Sequence, residues 1–119
     1  MVTEVSKEVY IETDELAYIA GFFDGEGDVG IIYATNPRGS YYQMRVHVTN
    51  TNEIVPKRLH ELFGGSISNR PRKNPLHKSP YVWSASGETA AQFLFMIKPY
   101  LRQKWEHAEV ALEFQKTQN

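Results

Sequence analysis

The chain has 119 residues, 41% of them hydrophobic, no cysteine and a net charge of −1, which suits a single domain over residues 1–119 with a sizeable core. That composition excludes a disulfide scaffold and a zinc-thiolate site, and no apolar run approaches the ~20 residues that cross a bilayer. The start Met1-Val2-Thr3-Glu4 lacks the basic and apolar regions of a signal peptide, so a soluble intracellular protein, neither secreted nor membrane-bound, is expected.

The small net charge hides a strong segregation. Residues 1–35 hold one basic residue against eight acids, residues 36–80 hold eight basic residues against two acids, and the remainder balances. A local basic surface is what meets phosphates, although such a run also suits a merely solvated face.

Residues 1–12 carry no motif and read as a mobile arm or edge segment. Thr13 or Asp14 suits the cap of a first helix over about residues 14–25, with Glu15 at its positive end. On that helix Ala17, Gly21 and Gly25 recur every four residues and share one face. Glycine inside a helix costs ~1 kcal/mol relative to alanine, so its repetition suggests a closely approaching second backbone. Asp24, Glu26 and Asp28 crowd the negative end of the helix with no Lys or Arg nearby in sequence, which invites a divalent cation. It is not an EF-hand: counting from Asp24, Val29 stands where that loop needs Gly and Thr35 where it needs Glu.

From Val29 to Thr35 the chain is β-rich, and Asn36-Pro37-Arg38-Gly39-Ser40 is a turn. Tyr42, Met44, Val46 and Val48 then alternate with Gln43, Arg45, His47 and Thr49, so this strand has an apolar face and a polar, partly cationic one. The polar face carries residue types that read base edges, and a two-stranded ribbon fits the DNA major groove. The outer face of a solvated sheet has the same polarity.

Asn50-Thr51-Asn52-Glu53 caps a second helix, in which Ile54, Val55, Leu59, Leu62 and Phe63 are expected to bury and which Gly64-Gly65 ends. A short strand follows over residues 66–70 with Ile67 inward, then a basic, proline-rich loop over residues 71–80. Tyr81-Val82-Trp83-Ser84-Ala85 is the fourth strand, with Tyr81 and Trp83 facing the core. Ser86 caps a third helix marked by Ala91, Leu94, Phe95 and Ile97, and Pro99 opens a last one over about residues 99–116, with Leu101, Trp105, Ala108 and Leu112 on one face. The order is αββαββα, an α+β class. His47, His60, His77 and His107 have no metal-ligand spacing, and there is no Ser or Cys nucleophile elbow.

Ile19-Ala20-Gly21-Phe22-Phe23-Asp24-Gly25-Glu26-Gly27 resembles the signature of the LAGLIDADG homing endonucleases in its Ala-Gly, its two acids and its closing Gly, and occurs once. Phe63-Gly64-Gly65 and Ile97-Lys98-Pro99-Tyr100-Leu101 resemble later landmarks of that family, so the likeness covers roughly residues 14–112. It implies half of the family's site: four antiparallel strands in a saddle with helices on one face. A homodimer would join through Ala17, Gly21, Phe22 and Gly25. It further implies Glu26 as catalytic acid and metal ligand, Gly25 as a carbonyl ligand and Asp24 as structural. Mg2+, or another divalent cation such as Mn2+ or Ca2+, is the cofactor implied. Lys104 would stabilise charge on the attacked phosphate, unless it is a snorkelling surface lysine, and Asn50 would take the place of a water-ordering Gln. The DNA-contacting set expected is Asp28, Ile32, Arg38, Tyr41, Gln43, Arg45, His47, Ser66, Ser68, Arg70, Arg72, Lys73 and Lys78. Three departures from the family pattern are Glu26 for the familiar Asp, Asn50 for Gln and Ile19 for the opening Leu.

The function implied is an intron-encoded type of endonuclease. It would make Mg2+-dependent double-strand breaks across the minor groove of a long, partly palindromic duplex. A non-catalytic DNA- or RNA-binding protein of the same fold, a maturase or a regulator, is the alternative. A metal-dependent metabolic domain with no nucleic-acid partner is a third.

Overall fold

The computed structural model describes residues 2–4, 10–70, 76 and 78–118. In chain order the elements are β1 (Val2–Glu4), β2 (Tyr10–Glu12), α1 (Thr13–Glu26), β3 (Gly27–Asn36), β4 (Gly39–Asn50), α2 (Ile54–Phe63), β5 (Ser66–Asn69), β6 (Tyr81–Ser86), α3 (Gly87–Ile97), a 3-10 turn (Lys98–Tyr100) and α4 (Trp105–Lys116). The fold is α+β, with four helices and a four-stranded antiparallel sheet in the order β3-β4-β6-β5.

Period-2 patterning puts Met44, Val46, Val48, Trp83 and Ala85 on one side of the sheet. All are buried, against Leu16, Ile19, Ala20 and Phe23 of α1, Leu59 and Phe63 of α2, and Ala90, Leu94 and Ile97 of α3. Phe93 is the aromatic hub, edge-on to Phe23 at 5.3 Å and Phe63 at 5.0 Å and tilted on Trp83 at 4.9 Å. The Trp83 indole N–H donates to Gly64 O at 2.8 Å, which satisfies its one polar atom. Gly64 and Gly65 end α2 with φ of +83° and +80°, and a Cβ on Gly65 would stand 2.5 Å from Ser84 O.

The hairpin β3-β4 is longer than the helical layer behind it. Tyr42, expected on the core face, is 59% exposed and stacks edge-on against Tyr33 at 5.1 Å, because both lie where the hairpin overshoots the helices. Ile54, expected to bury, is 70% exposed, and Phe95, one of the residues whose spacing marks the third helix, is 73% exposed. In α3 nearly every position from Ala90 to Ile97 is apolar, so spacing does not single out one face; Ala90 and Phe93 are buried with Leu94 and Ile97, and Phe95 points away.

The last helix starts at Trp105, not near Pro99, because the N–H groups of residues 102–104 bond elsewhere, and Trp105 is 44% exposed. Ser86 sits at the N-cap of α3 in extended conformation but makes no side-chain cap bond. Ahead of α1, β2 pairs antiparallel with β1 and Ile11 is buried in the core, so residues 10–12 are tied down rather than a free arm. No helix of the described residues is long and apolar enough to cross a membrane.

Candidate functional site

The carboxyl end of α1, the outer face of the sheet and the start of α4 meet at one corner. Asp24 is 9% exposed and accepts three backbone N–H bonds, from Arg102 at 2.8 Å, Gln103 at 3.1 Å and Lys104 at 2.9 Å. Those amides lead into α4, so the carboxylate faces the positive end of that helix. Lys104 completes the junction: its Nζ donates to Asp24 O at 2.5 Å, covering a terminal carbonyl of α1. The charge of Asp24 is thus neutralised within the chain, and the cation invited by the acidic cluster is not needed there.

Glu26 differs. It is the last residue of α1, exposed, and without a hydrogen-bond or ion-pair partner among the described residues. Gly27 follows in β3, and a Cβ there would strike the Phe23 ring at 2.1 Å, so the backbone turns out of the helix against that ring only as glycine. A carboxylate at a carbonyl-rich helix end with no basic residue in its last turn suits a hard cation, with Gly25 exposed beside it. Among the described residues no three His, Cys, Asp or Glu side chains gather closely enough to hold a metal ion. Among the described residues, the end of α1 therefore offers one carboxylate without a partner, Glu26.

Along α1, Ala17, Gly21 and Gly25 are all exposed, and a Cβ on Gly21 or Gly25 would meet nothing within 4 Å. The stripe borders a groove of about 370 Å³ lined by Ala17, Gly21, Asp24, Pro99, Tyr100, Leu101 and Arg102. Phe22 is partly buried and packs toward the core beside Tyr18.

The register assembles much of the anticipated polar face. Asp28 stands opposite His47, Gly30 opposite Arg45, Ile32 opposite Gln43 and Ala34 opposite Tyr41. His47 continues across to Ser84 and Ser66, and Thr49 to Val82 and Ser68. Asp28 and His47 approach to 3.8 Å. Ser84 and Ser86 belong to this face and were missed, although Trp83-Ser84-Ala85-Ser86 alternates as plainly as β4. Arg38 is at the exposed hairpin turn, with its N–H on Asn36 Oδ1 at 2.8 Å. Arg70 lies just past β5, its N–H on Pro80 O at 2.9 Å, and Lys78 is exposed nearby. Arg72, Lys73 and His77 lie outside the described residues. Asn50 ends β4 with its Oδ1 accepting the Asn52 N–H at 2.8 Å, so that oxygen serves the turn into α2.

Side-chain pairing sorts most of the cations into two groups, while Arg102 and Lys104, at the junction into α4, pair with no carboxylate among the described residues. Lys57 pairs with Glu53, Arg58 with Glu15 and Glu61, Lys98 with Glu109 and Lys116 with Glu113, all on the helical layer. Arg58 forks onto Glu15 through Nε at 2.7 Å and Nη2 at 2.9 Å, which holds the Glu15 carboxyl below the usual range and the guanidinium above its own. Arg38, Arg45, Arg70 and Lys78, on or beside the sheet, have no carboxylate within salt-bridge distance among the described residues.

A four-stranded antiparallel sheet whose outer face is polar, backed by helices of which α1 leaves one small-residue stripe exposed, is the arrangement of this chain, and its fold is that of the LAGLIDADG homing endonucleases. The homing endonuclease I-CvuI, solved with its target in the presence of calcium, superposes with a TM-score of 0.70 at 19% identity, over 86% of this chain and 66% of that one. The archaeal intron-encoded homing endonuclease I-Vdi141I, complexed with DNA, gives 0.67 at 20% identity, over 88% of this chain and 69% of that one. The LAGLIDADG endonuclease I-GzeII, with its DNA target, gives 0.66 at 16% identity, over 85% of this chain and 35% of that one. The chain thus spans 66% of the length of I-CvuI and about a third of that of I-GzeII. No protein-family model matches the sequence, and no curated protein matches it.

Proposed function

We propose that two copies of this chain form a site-specific DNA endonuclease that hydrolyses phosphodiesters in both strands of a long, partly palindromic duplex. The observation that carries this is the exposed Ala17-Gly21-Gly25 stripe, which runs directly into the exposed, unpartnered Glu26. Pairing two such stripes brings two Glu26 carboxylates together and sets the outer faces of two sheets in line, with their unpaired cations facing the phosphates. The DNA targets in the I-CvuI, I-Vdi141I and I-GzeII complexes support the substrate class.

In this reading Glu26 and the Gly25 carbonyl would hold Mg2+ at the helix end, where the ion would supply charge neutralisation for the phosphoryl oxygens and acidify a water. The protein's own contribution is positional. Asp24 locks residues 102–104 against the end of α1, which places the Lys104 ammonium beside the same carbonyl end as Glu26. A lysine there stabilises the negative charge that grows on the phosphate. Outer-face residues such as Gln43 and Arg45 meet base edges, while Arg38, Arg70 and Lys78 meet the backbone.

The test is incubation of the protein with a randomised duplex library, with and without Mg2+, repeated with Glu26→Gln. Sequence-selective cutting in Mg2+ that the variant loses while still binding is expected. Selective binding by both proteins without any nicking would move the assignment to a non-catalytic binder, and absence of duplex binding even at low salt would end the nucleic-acid assignment.

A further inference from the structure

Within the DNA-binding role proposed above, the cations of the sheet are not equivalent. Arg38 sits at a turn and Arg70 beyond a strand end, both exposed, where a flexible guanidinium suits phosphate contact. Arg45 is in the central strand β4 and partly buried, flanked in register by Gly30 on one side and Ser86 on the other. Gly30 puts no side chain beside it, and a Cβ there would meet nothing within 4 Å. The Arg45 side chain borders a recess of about 300 Å³ whose walls include Gln43, Ser66, Ser84, Ser86 and Thr89. These walls are hydroxyls and an amide, with no carboxylate to draw the guanidinium aside. His47, the next cationic candidate on the same row, instead faces Asp28.

We propose that Arg45 is the principal sequence-reading residue of each subunit, donating its two-pronged guanidinium to O6 and N7 of a guanine in the major groove, and that Gln43 reads an adenine on the same side. A small residue on each flank leaves the planar group free to meet a base edge, and the partly buried stem restricts its rotamers before binding. Arg45 and Gln43 are alternate residues of one strand, ~6.8 Å apart, against a rise of ~3.4 Å per base pair, so the two bases lie roughly two pairs apart. The half-site then contains one guanine whose loss is penalised more than any other change.

Binding selection from a randomised duplex library in divalent-free buffer tests this, using the unaltered protein, Arg45→Lys, Arg45→Ala and Gln43→Ala. The unaltered protein should enrich one guanine per half-site, with substitution of that base weakening binding roughly 10- to 100-fold. Arg45→Lys keeps the charge but loses the fork, so the guanine preference should weaken, and Arg45→Ala should abolish it. Gln43→Ala should relax only the position roughly two base pairs away. Arg45→Ala weakening all sequences equally would make Arg45 a phosphate contact and overturn the proposal, as would an unchanged motif in Arg45→Ala. In both cases duplex binding persists and the nucleic-acid reading stands. Failure of the unaltered protein to bind any duplex defeats both.

Discussion

Gly21→Ala separates the fold of one chain from the proposed pairing of two, because the space around Gly21 within the chain and the proposed helix-to-helix contact predict opposite signs. Within the chain the new methyl meets nothing within 4 Å, so no clash offsets the helical preference for alanine. That preference is ~1 kcal/mol in a helix interior. For a chain of 119 residues it raises the thermal midpoint of the monomer by about 4 °C. Across the proposed two-fold interface the same methyl would enter a backbone-to-backbone contact, where an added methylene typically costs ~1–3 kcal/mol. Symmetry makes each copy carry it, so the dimer loses ~2–6 kcal/mol and its Kd rises roughly 30-fold or more.

Sedimentation velocity over a concentration series reads the association, and thermal denaturation at the dilute end of that series reads the monomer. The expected outcome is a higher midpoint together with loss of dimer and of cleavage. A variant that sediments like the unaltered protein at every concentration and still cuts DNA would show that the stripe is not the interface. A variant whose monomer is destabilised would show that the space above Gly21 is filled by the chain itself.

Glu15→Gln probes the fork from Arg58, whose hydrogen bonds lower the Glu15 pKa, against partial burial that raises it, with the guanidinium charge adding to the lowering. A carboxyl held below its ordinary 4.5 adds stability above that pH and loses it as pH falls through the lowered value. With side chains 41% and 29% exposed the contribution is about 0.5–1 kcal/mol, so urea denaturation should show that difference at pH 7 and none at pH 2.5; a pH-independent difference would contradict it. Asp24→Asn replaces a charged acceptor of three N–H bonds with a carboxamide and should cost about 2–4 kcal/mol in chemical denaturation; a loss under ~0.5 kcal/mol, the scale of an ordinary surface change, would mean the junction to α4 is held by other contacts. Gly65→Ala combines a φ of +80° with a Cβ 2.5 Å from Ser84 O, so a loss of at least ~2 kcal/mol is expected, and a midpoint unchanged in denaturant would show that the α2-β5 connection can relax.

Much of this fold was legible because local patterns were unambiguous. The alternation through Met44, Val46 and Val48 set the register face of β4, and the paired glycines after Phe63 marked the end of α2. What escaped was set by remote contacts. Tyr42 continues the apolar alternation but reaches past the helices that would cover it. The start of α4 is decided by Asp24, 78 to 80 residues away, which takes the amides that would otherwise open a helix at Pro99. The basic balance of residues 36–80 counted Arg58 and Lys57 with Arg45, yet the first two are neutralised, Arg58 in part by a glutamate 43 residues earlier. The site was legible as a set of residue types, while the distinction between free and paired charges required the packing.

The acidic end of α1 shows the consequence of that distinction. Three carboxylates crowd there in sequence, but Asp24 is met by amides and Asp28 lies opposite His47, so Glu26 alone is left without a partner among the described residues. A single carboxylate holds a hard cation weakly, and two such groups facing across a two-fold axis repel until a cation lies between them. Cation binding and pairing should therefore be linked: an ion bound by the dimer and not by the monomer tightens association by mass action. With chelator present, Glu26→Gln should pair as well as or better than the unaltered protein, because the repulsion is gone. Adding Mg2+ should tighten only the unaltered protein, reversing the order. Sedimentation of both proteins in chelator and in Mg2+ reads this directly, and an equal response to Mg2+ in the two would place the ion away from Glu26.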